Sequence, residues 1–239
     1  LSDISHNNRA PIWCLPQLKI VLLGGRNSGK SSLGNLILGK EEFVTRERTS
    51  CSRRVGVVSG RRLTVVDTPG WWCDFSSRDT SELVKREIRS SVSLCPPGPH
   101  AFLVTVKVSS GFSERRRRAV EEHVGLLGEG VWGHCMVVFT LGDWLGGTTI
   151  ERCVESEGPP LKGLLERCGN RYHVVNNRSR GDGFQVRELI RKMEEMLAGS
   201  ADGPHFEDHL HLRTNESLLD RLSPRRPRML LALPPSHPR

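Results

Sequence analysis

At 239 residues the chain has room for one α/β domain of about 200 residues plus tails, well above the size at which core burial becomes marginal. Its seven cysteines, at 14, 51, 73, 95, 135, 153 and 168, form no Cys-x-x-Cys pair, which argues against a disulfide framework or a zinc cluster and for a reducing, cytosolic compartment. The net charge of +8 is interspersed with acids and accompanied by no nucleic-acid-binding module, so nucleic acid is not the expected partner; no apolar run reaches the roughly 18 residues of a membrane span.

Residues 1–16 are polar, carry Pro11 and Pro16, and read as a linker or trimmed edge; a first residue Leu1 reads as the start of a fragment. Leu18 to Leu23 is a continuous apolar run, as in a parallel strand buried on both faces. A glycine-rich turn follows, then a predicted helix over Lys30 to Leu38 with Leu33, Leu36 and Ile37 at core spacing. Residues 39–52 are polar and loop-like. Arg53 to Ser59 and Arg62 to Asp67 flank Gly60-Arg61, which predicts an antiparallel hairpin. Beyond TPGWWCDFSSRD, a helix is predicted from Asp79 to about Leu94, stopped by Cys95-Pro96-Pro97-Gly98-Pro99. His100 to Val108 is a strand, and Ser113 caps a helix to about Leu127. His134 to Thr140 is a strand, Thr148 to Cys168 a helix interrupted at Gly158, Arg171 to Val175 a short strand, and Gly183 to Leu197 the closing helix. The alternation predicts an α/β fold with a mostly parallel sheet and a ligand at the carboxyl ends of its strands. After Ser200 the prolines multiply and core-forming residues thin out, so 17–200 reads as the domain and 201–239 as a disordered tail. In that tail Arg225, Arg226 and Arg228 precede MLLAL, a composition suited to weak contact with anionic lipid.

Three motifs carry chemistry. Gly24-x-x-x-x-Gly29-Lys30-Ser31 lies between a strand and a helix, the context of a phosphate-binding loop. Its glycines let successive amides turn inward at a helix N-terminus, Lys30 reaches β- and γ-phosphates, and Ser31 offers a hydroxyl to Mg²⁺. Asp67-Thr68-Pro69-Gly70 ends a strand, where Asp67 suits a Mg²⁺-organising carboxylate and the Gly70 amide a γ-phosphate sensor. Thr140-Leu141-Gly142-Asp143 follows another strand; a carboxylate there can accept from the two N–H donors of guanine, which adenine lacks. Asn176 or Asn177, after the next strand, is placed to touch or seal the base.

The stretches LKIVLLGGRNSGKSSLGNLILG, TVVDTPGWW, PPGPHAFLVTV, VVFTLGDWL and CGNRYHVVNN resemble, in order and over about residues 17–198, the GTPases of immunity-associated proteins, the GIMAP family. Its avirulence-induced-type G domain is related to septins and chloroplast import GTPases. The resemblance implies a three-layer P-loop GTPase fold with one antiparallel strand and helices on both faces. It implies GTP or GDP with Mg²⁺ held by Gly24, Gly25, Arg26, Asn27, Ser28, Gly29, Lys30, Ser31 and Ser32, with Asp143, Asn176 and Asn177 toward the base. It also implies a nucleotide-dependent homo- or hetero-dimer through the G domain. A first-switch threonine should join Ser31 and Asp67 on the metal; Thr49 is chosen, with Thr45 and Ser50 nearby. Trp71 stands where Ras-like enzymes keep a water-orienting glutamine, so slow hydrolysis is expected. Arg115 to Arg118 read as a solvated helix start and not as an arginine finger. The rival readings are a P-loop kinase or ATPase acting on a small substrate, and a scaffold with a structural nucleotide.

Overall fold

The computed structural model describes residues 15–176, 183–199 and 205–206; Asn177 and most of the predicted linker and tail lie outside the described residues. The strands are β1 (Gln17–Leu23), β2 (Ser52–Val58), β3 (Arg61–Asp67), β4 (Ala101–Lys107), β5 (Cys135–Thr140) and β6 (Tyr172–Val174). They form one sheet in the order β2-β3-β1-β4-β5-β6, parallel throughout except for β2 against β3. The chain leaves β1 toward β3 on one side and later returns to β4 on the other. This reversal opens a crevice above the carboxyl end of β1, the topological switch point where such sheets bind ligands.

The helices are α1 (Lys30–Leu38), α2 (Glu82–Ser90), α3 (Glu114–Val124), α4 (Ile150–Glu157), α5 (Pro159–Arg167) and α6 (Phe184–Ala198). Period-two alternation along the buried strands serves two cores at once. Leu18, Ile20 and Leu22 face Leu33 and Ile37 of α1 and Leu189 and Met193 of α6. Val21, Leu23, Phe102 and Val104 belong to the other face, with Ile88 of α2, Val120 and Val124 of α3 and Leu164 of α5. The result is three layers with helices on both faces of a mixed, mostly parallel sheet.

Several predicted boundaries shift: the helix expected over Asp79 to about Leu94 is α2, Glu82–Ser90, between short 3₁₀ turns at Ser77–Asp79 and Val92–Leu94. The hairpin turn is Ser59-Gly60, one residue earlier than Gly60-Arg61, because a two-residue turn of this hand needs φ > 0 at both positions; Ser59 has φ 51° and Gly60 φ 78°. Gly158, at φ 76° and ψ −152°, ends α4, and Pro159 begins α5 as a first-turn proline, so the interrupted helix is two helices.

His205 and Phe206, in the stretch predicted to lie beyond the domain, pack on its lower end, at the amino ends of β4 and β5. The Phe206 ring stands edge-on to Phe102 at 5.2 Å between centroids, and its N–H donates to the Pro99 carbonyl at 2.8 Å. Gly98 makes this passage possible, since a methyl group on it would lie 2.1 Å from the Phe206 carbonyl oxygen. The His205 ring lies 4.1 Å from that of His100, whose Nδ1 accepts the Lys19 backbone N–H at 2.9 Å.

Burial brings the His100 pKa down to about 3, with His205, Lys19 and His134 adding repulsion. Burial also lowers those of His123, His173 and His205. An unfolded chain titrates its histidines near 6.5, so between that value and the folded pKa it binds more protons than the folded one. Stability therefore falls as pH drops below about 6.5, by at most about 1.4 kcal/mol per pH unit for His100 alone. Urea unfolding at pH 7.5 and pH 5.5 should show the lower midpoint at pH 5.5; an equal or higher one contradicts the assignment of neutral histidines.

Candidate functional site

The turn between β1 and α1 is shaped by contacts from other strands. Gly24 (φ 154°) is pressed against β4, where a methyl group would lie 2.2 Å from Thr105 Oγ1. Gly29 (φ 92°) caps α1, and a methyl group there would meet Thr140 at 3.0 Å. Neither position has room for a side chain. Thr105 and Thr140 also hold the loop directly: their hydroxyls lie 2.5 Å from Ser28 Oγ and 2.7 Å from the Ser28 carbonyl, which accepts the Thr140 proton. Thr140 opens the motif read toward the base and Thr105 belongs to none; a β-branched residue within a strand carries no sequence signal for bracing a loop from below.

Beside the loop lies a cavity of about 220 Å³. Arg26, Asn27 and Gly29 to Ser32 line it together with Thr45 to Arg48 and Asp67 to Gly70. Lys30 is buried, and its Nζ donates to the carbonyls of Gly24 (2.9 Å) and Gly25 (2.8 Å). Burial brings its pKa down to about 8, against the attraction of Asp67, so the ammonium is still the main form at neutral pH. A methyl group on Gly70 would lie 2.8 Å from both Lys30 Nζ and the Arg26 nitrogen, so these three positions converge on one spot.

Asp67 is 3% exposed, and its Oδ2 accepts from the Ser31 hydroxyl at 2.6 Å and from the Arg48 guanidinium at 3.1 Å. Burial raises its pKa, and Ser31, Lys30 and Arg48 oppose the rise. Its Oδ1 is buried without a hydrogen-bond partner, which leaves one carboxylate oxygen beside a serine hydroxyl. An all-oxygen pair of this kind suits a hard cation such as Mg²⁺, which takes one or two protein ligands and fills the rest with water or phosphate oxygens. Of the threonines considered for the metal, Thr45 lines the cavity; Thr49 is exposed and does not. Arg48 pairs with Asp67 at 3.1 Å on the cavity side, and the next residue, Thr49, faces solvent.

Trp71 points away from this cavity. Its side chain is 1% exposed and stacks on His123 of α3, with centroids 4.6 Å apart and planes 5° apart. The Ala119 carbonyl, 2.6 Å from His123 Nδ1, can only accept; the proton is therefore on Nδ1, and Nε2 accepts from the Thr80 hydroxyl at 2.7 Å. The Trp71 carbonyl accepts the Arg26 N–H at 2.7 Å, joining the stretch after Gly70 to the loop. Three of the four arginines at the start of α3 are engaged within the fold: Arg117 with Glu114 and Glu121, Arg118 with Glu114, and Arg116 with Asp74.

Asp143 and Asn176 lie at the carboxyl ends of β5 and β6, outside the lining of the 220 Å³ cavity. The Gly142 N–H donates to the Val175 carbonyl at 2.9 Å, which brings their two loops side by side. Gln185 of α6 fixes Asn176 from both directions, accepting its N–H at 2.9 Å and donating to its carbonyl at 3.2 Å. Leu141, at φ 58°, holds a backbone conformation that a bulky residue rarely adopts, immediately before Gly142-Asp143.

The sequence model of the AIG1 family matches residues 18–224. The chain belongs to the AIG1 family. GTPase IMAP family member 8 of Homo sapiens is 31% identical to it over 211 residues, 85% of this chain and 30% of that protein. Immune-associated nucleotide-binding protein 9 of Arabidopsis thaliana is 31% identical over 220 residues, 85% of this chain and 62% of that protein. The AIG1-family chain thus spans less than two thirds of these relatives' lengths. Among solved structures, Toc33 from Arabidopsis thaliana in complex with Mg²⁺ and GMPPNP has a TM-score of 0.62 at 12% identity, covering 76% of this chain and 85% of that one. Bacterial selenocysteine-specific elongation factor EF-Sec gives a TM-score of 0.52 at 15% identity, over 77% of this chain and 29% of that one. These likenesses establish the P-loop GTPase fold for the AIG1-family chain.

Proposed function

We propose that this AIG1-family domain is a guanine-nucleotide switch that binds GTP or GDP with Mg²⁺ and hydrolyses GTP slowly. The observation that carries the reading is the convergence of Lys30, Ser31, Asp67 and Gly70 on one cavity at the switch point of the sheet. Loop amides and Lys30 would hold the phosphates, and Ser31 and Asp67 the metal, which when bound neutralises charge on the β- and γ-phosphates. Asp143 would select guanine, with Asn176 and Asn177 beside it. Slow hydrolysis follows from the burial of Trp71 against His123, which keeps a water-orienting side chain from that position.

Assembly through the G domain is part of the proposal. Val44, Trp72 and Phe75, which flank cavity-lining segments, are 61%, 55% and 50% exposed. In the structurally similar chloroplast translocon components atToc33 and psToc159, dimerisation is important for the GTPase activity. The six described cysteines are free thiols, and no described helix is long and apolar enough to cross a membrane. Both are in keeping with a cytoplasmic protein that meets membranes peripherally through its basic tail, residues outside those described.

Equilibrium binding of labelled GTP, GDP and ATP tests the reading. GTP and GDP should bind at least tenfold more tightly than ATP, and Asp143→Ala should erase most of that preference. Comparable ATP affinity sinks the guanine assignment and favours a kinase or ATPase. Sedimentation of the same samples should show the dimer with GMPPNP and the monomer with GDP; a monomer in both removes assembly from the proposal.

A further inference from the structure

Arg26 of the phosphate loop touches both flanking segments of the cavity. Its NH1 donates to Glu47 Oε2 at 2.9 Å, from the stretch between α1 and β2. Its guanidinium carbon lies 4.2 Å from the centre of the Trp72 ring, two residues beyond Gly70. Its backbone nitrogen is fixed to the Trp71 carbonyl at 2.7 Å, and that nitrogen lies 2.8 Å from where a methyl group on Gly70 would stand. The backbone of Arg26 is therefore pinned at the spot where Lys30 and Gly70 converge, while its long side chain is held only by two exposed partners.

Those partners are weak. The Glu47 side chain is 57% exposed and that of Arg26 27%, so their ion pair is screened by water and contributes little. A terminal phosphate held by Lys30 and the Gly70 amide would offer more charge in a better-shielded place, and two of its oxygens match the planar fork of a guanidinium bidentately. A diphosphate offers no such group there.

We propose that Arg26 reads the terminal phosphate of a bound nucleotide, moving its guanidinium from Glu47 to the γ-phosphate oxygens. The exchange frees residues 45–48 from Arg26 and changes the packing on Trp72, so one side chain reports the third phosphate to both segments. This assignment rests on the nucleotide-site reading above and adds a side chain to the Gly70 amide in telling triphosphate from diphosphate.

The test compares the ratio of GMPPNP to GDP affinity in wild type, Arg26→Ala and Glu47→Gln, with Mg²⁺ present. Arg26→Ala should lower the ratio about tenfold, the value of one charge-assisted contact. Glu47→Gln removes the competitor for the guanidinium and should raise the ratio severalfold, an increase that a folding defect cannot produce. An unchanged ratio in both variants, or an equal loss of both nucleotides in Arg26→Ala, overturns the role of Arg26 and leaves the nucleotide site standing. Wild-type protein that binds neither nucleotide overturns both.

Discussion

Lys30→Ala is expected to weaken both GTP and GDP binding by about a hundredfold, or about 3 kcal/mol, in an equilibrium titration. The Lys30 ammonium is buried at 7% exposure and held by two loop carbonyls, so its charge is fixed in place before any phosphate arrives. The cost of burying it is met by folding, and a phosphate gains a cation at close range in a partly shielded cavity. Alanine removes that charge without filling the space, and Lys30→Arg should not restore binding, because a planar guanidinium does not fit a site shaped for a compact ammonium. Binding that stays within about threefold of wild type would remove Lys30, and with it the phosphate cradle, from the proposal.

The largest expected effect on stability lies at the opposite end of the sheet. Phe206→Ala should cost about 3 kcal/mol, the lower end for a buried aromatic ring, and lower the melting temperature by about 6–12 °C. The ring is 5% exposed and packs edge-on against Phe102 and His134, and truncation leaves a cavity beneath the Pro99 carbonyl contact. A melting temperature within about 2 °C of wild type would show that residues 205–206 add nothing to the domain. Nucleotide affinity should be unaffected, since Phe206 sits at the amino ends of the strands and the cavity at their carboxyl ends.

The fold was legible because its signals are local and periodic. Continuous apolar runs mark β1, β4 and β5 as strands buried on both faces, and the same runs alternate between two cores in the structure. Leu33 and Ile37 recur at helical spacing and are buried on α1. The segments without a period gave no such guidance. In 39–52 the resemblance implies a metal-binding threonine without fixing which one, Thr49 with Thr45 and Ser50 nearby; the structure lines the cavity with Thr45 and pairs Arg48 with Asp67. The sequence shows that Trp71 occupies the place of a glutamine; that its indole completes the core against a histidine 52 residues further along the chain is visible only in the structure.

What the sequence by itself determined is therefore the strand, glycine turn and helix of residues 17–38. In that stretch the conformational freedom of Gly24 and Gly29, the helix N-terminus and the Lys30-Ser31 pair all lie within a few residues, so short-range sterics and hydrogen bonding suffice. The tertiary structure decided which groups meet that loop: Thr105 and Thr140 beneath it, Arg48 on Asp67, Glu47 and Trp72 on Arg26, and Phe206 at the far end. Each of these contacts joins residues with no common period. Their geometry is set by how the sheet brings distant segments together, which no single stretch encodes.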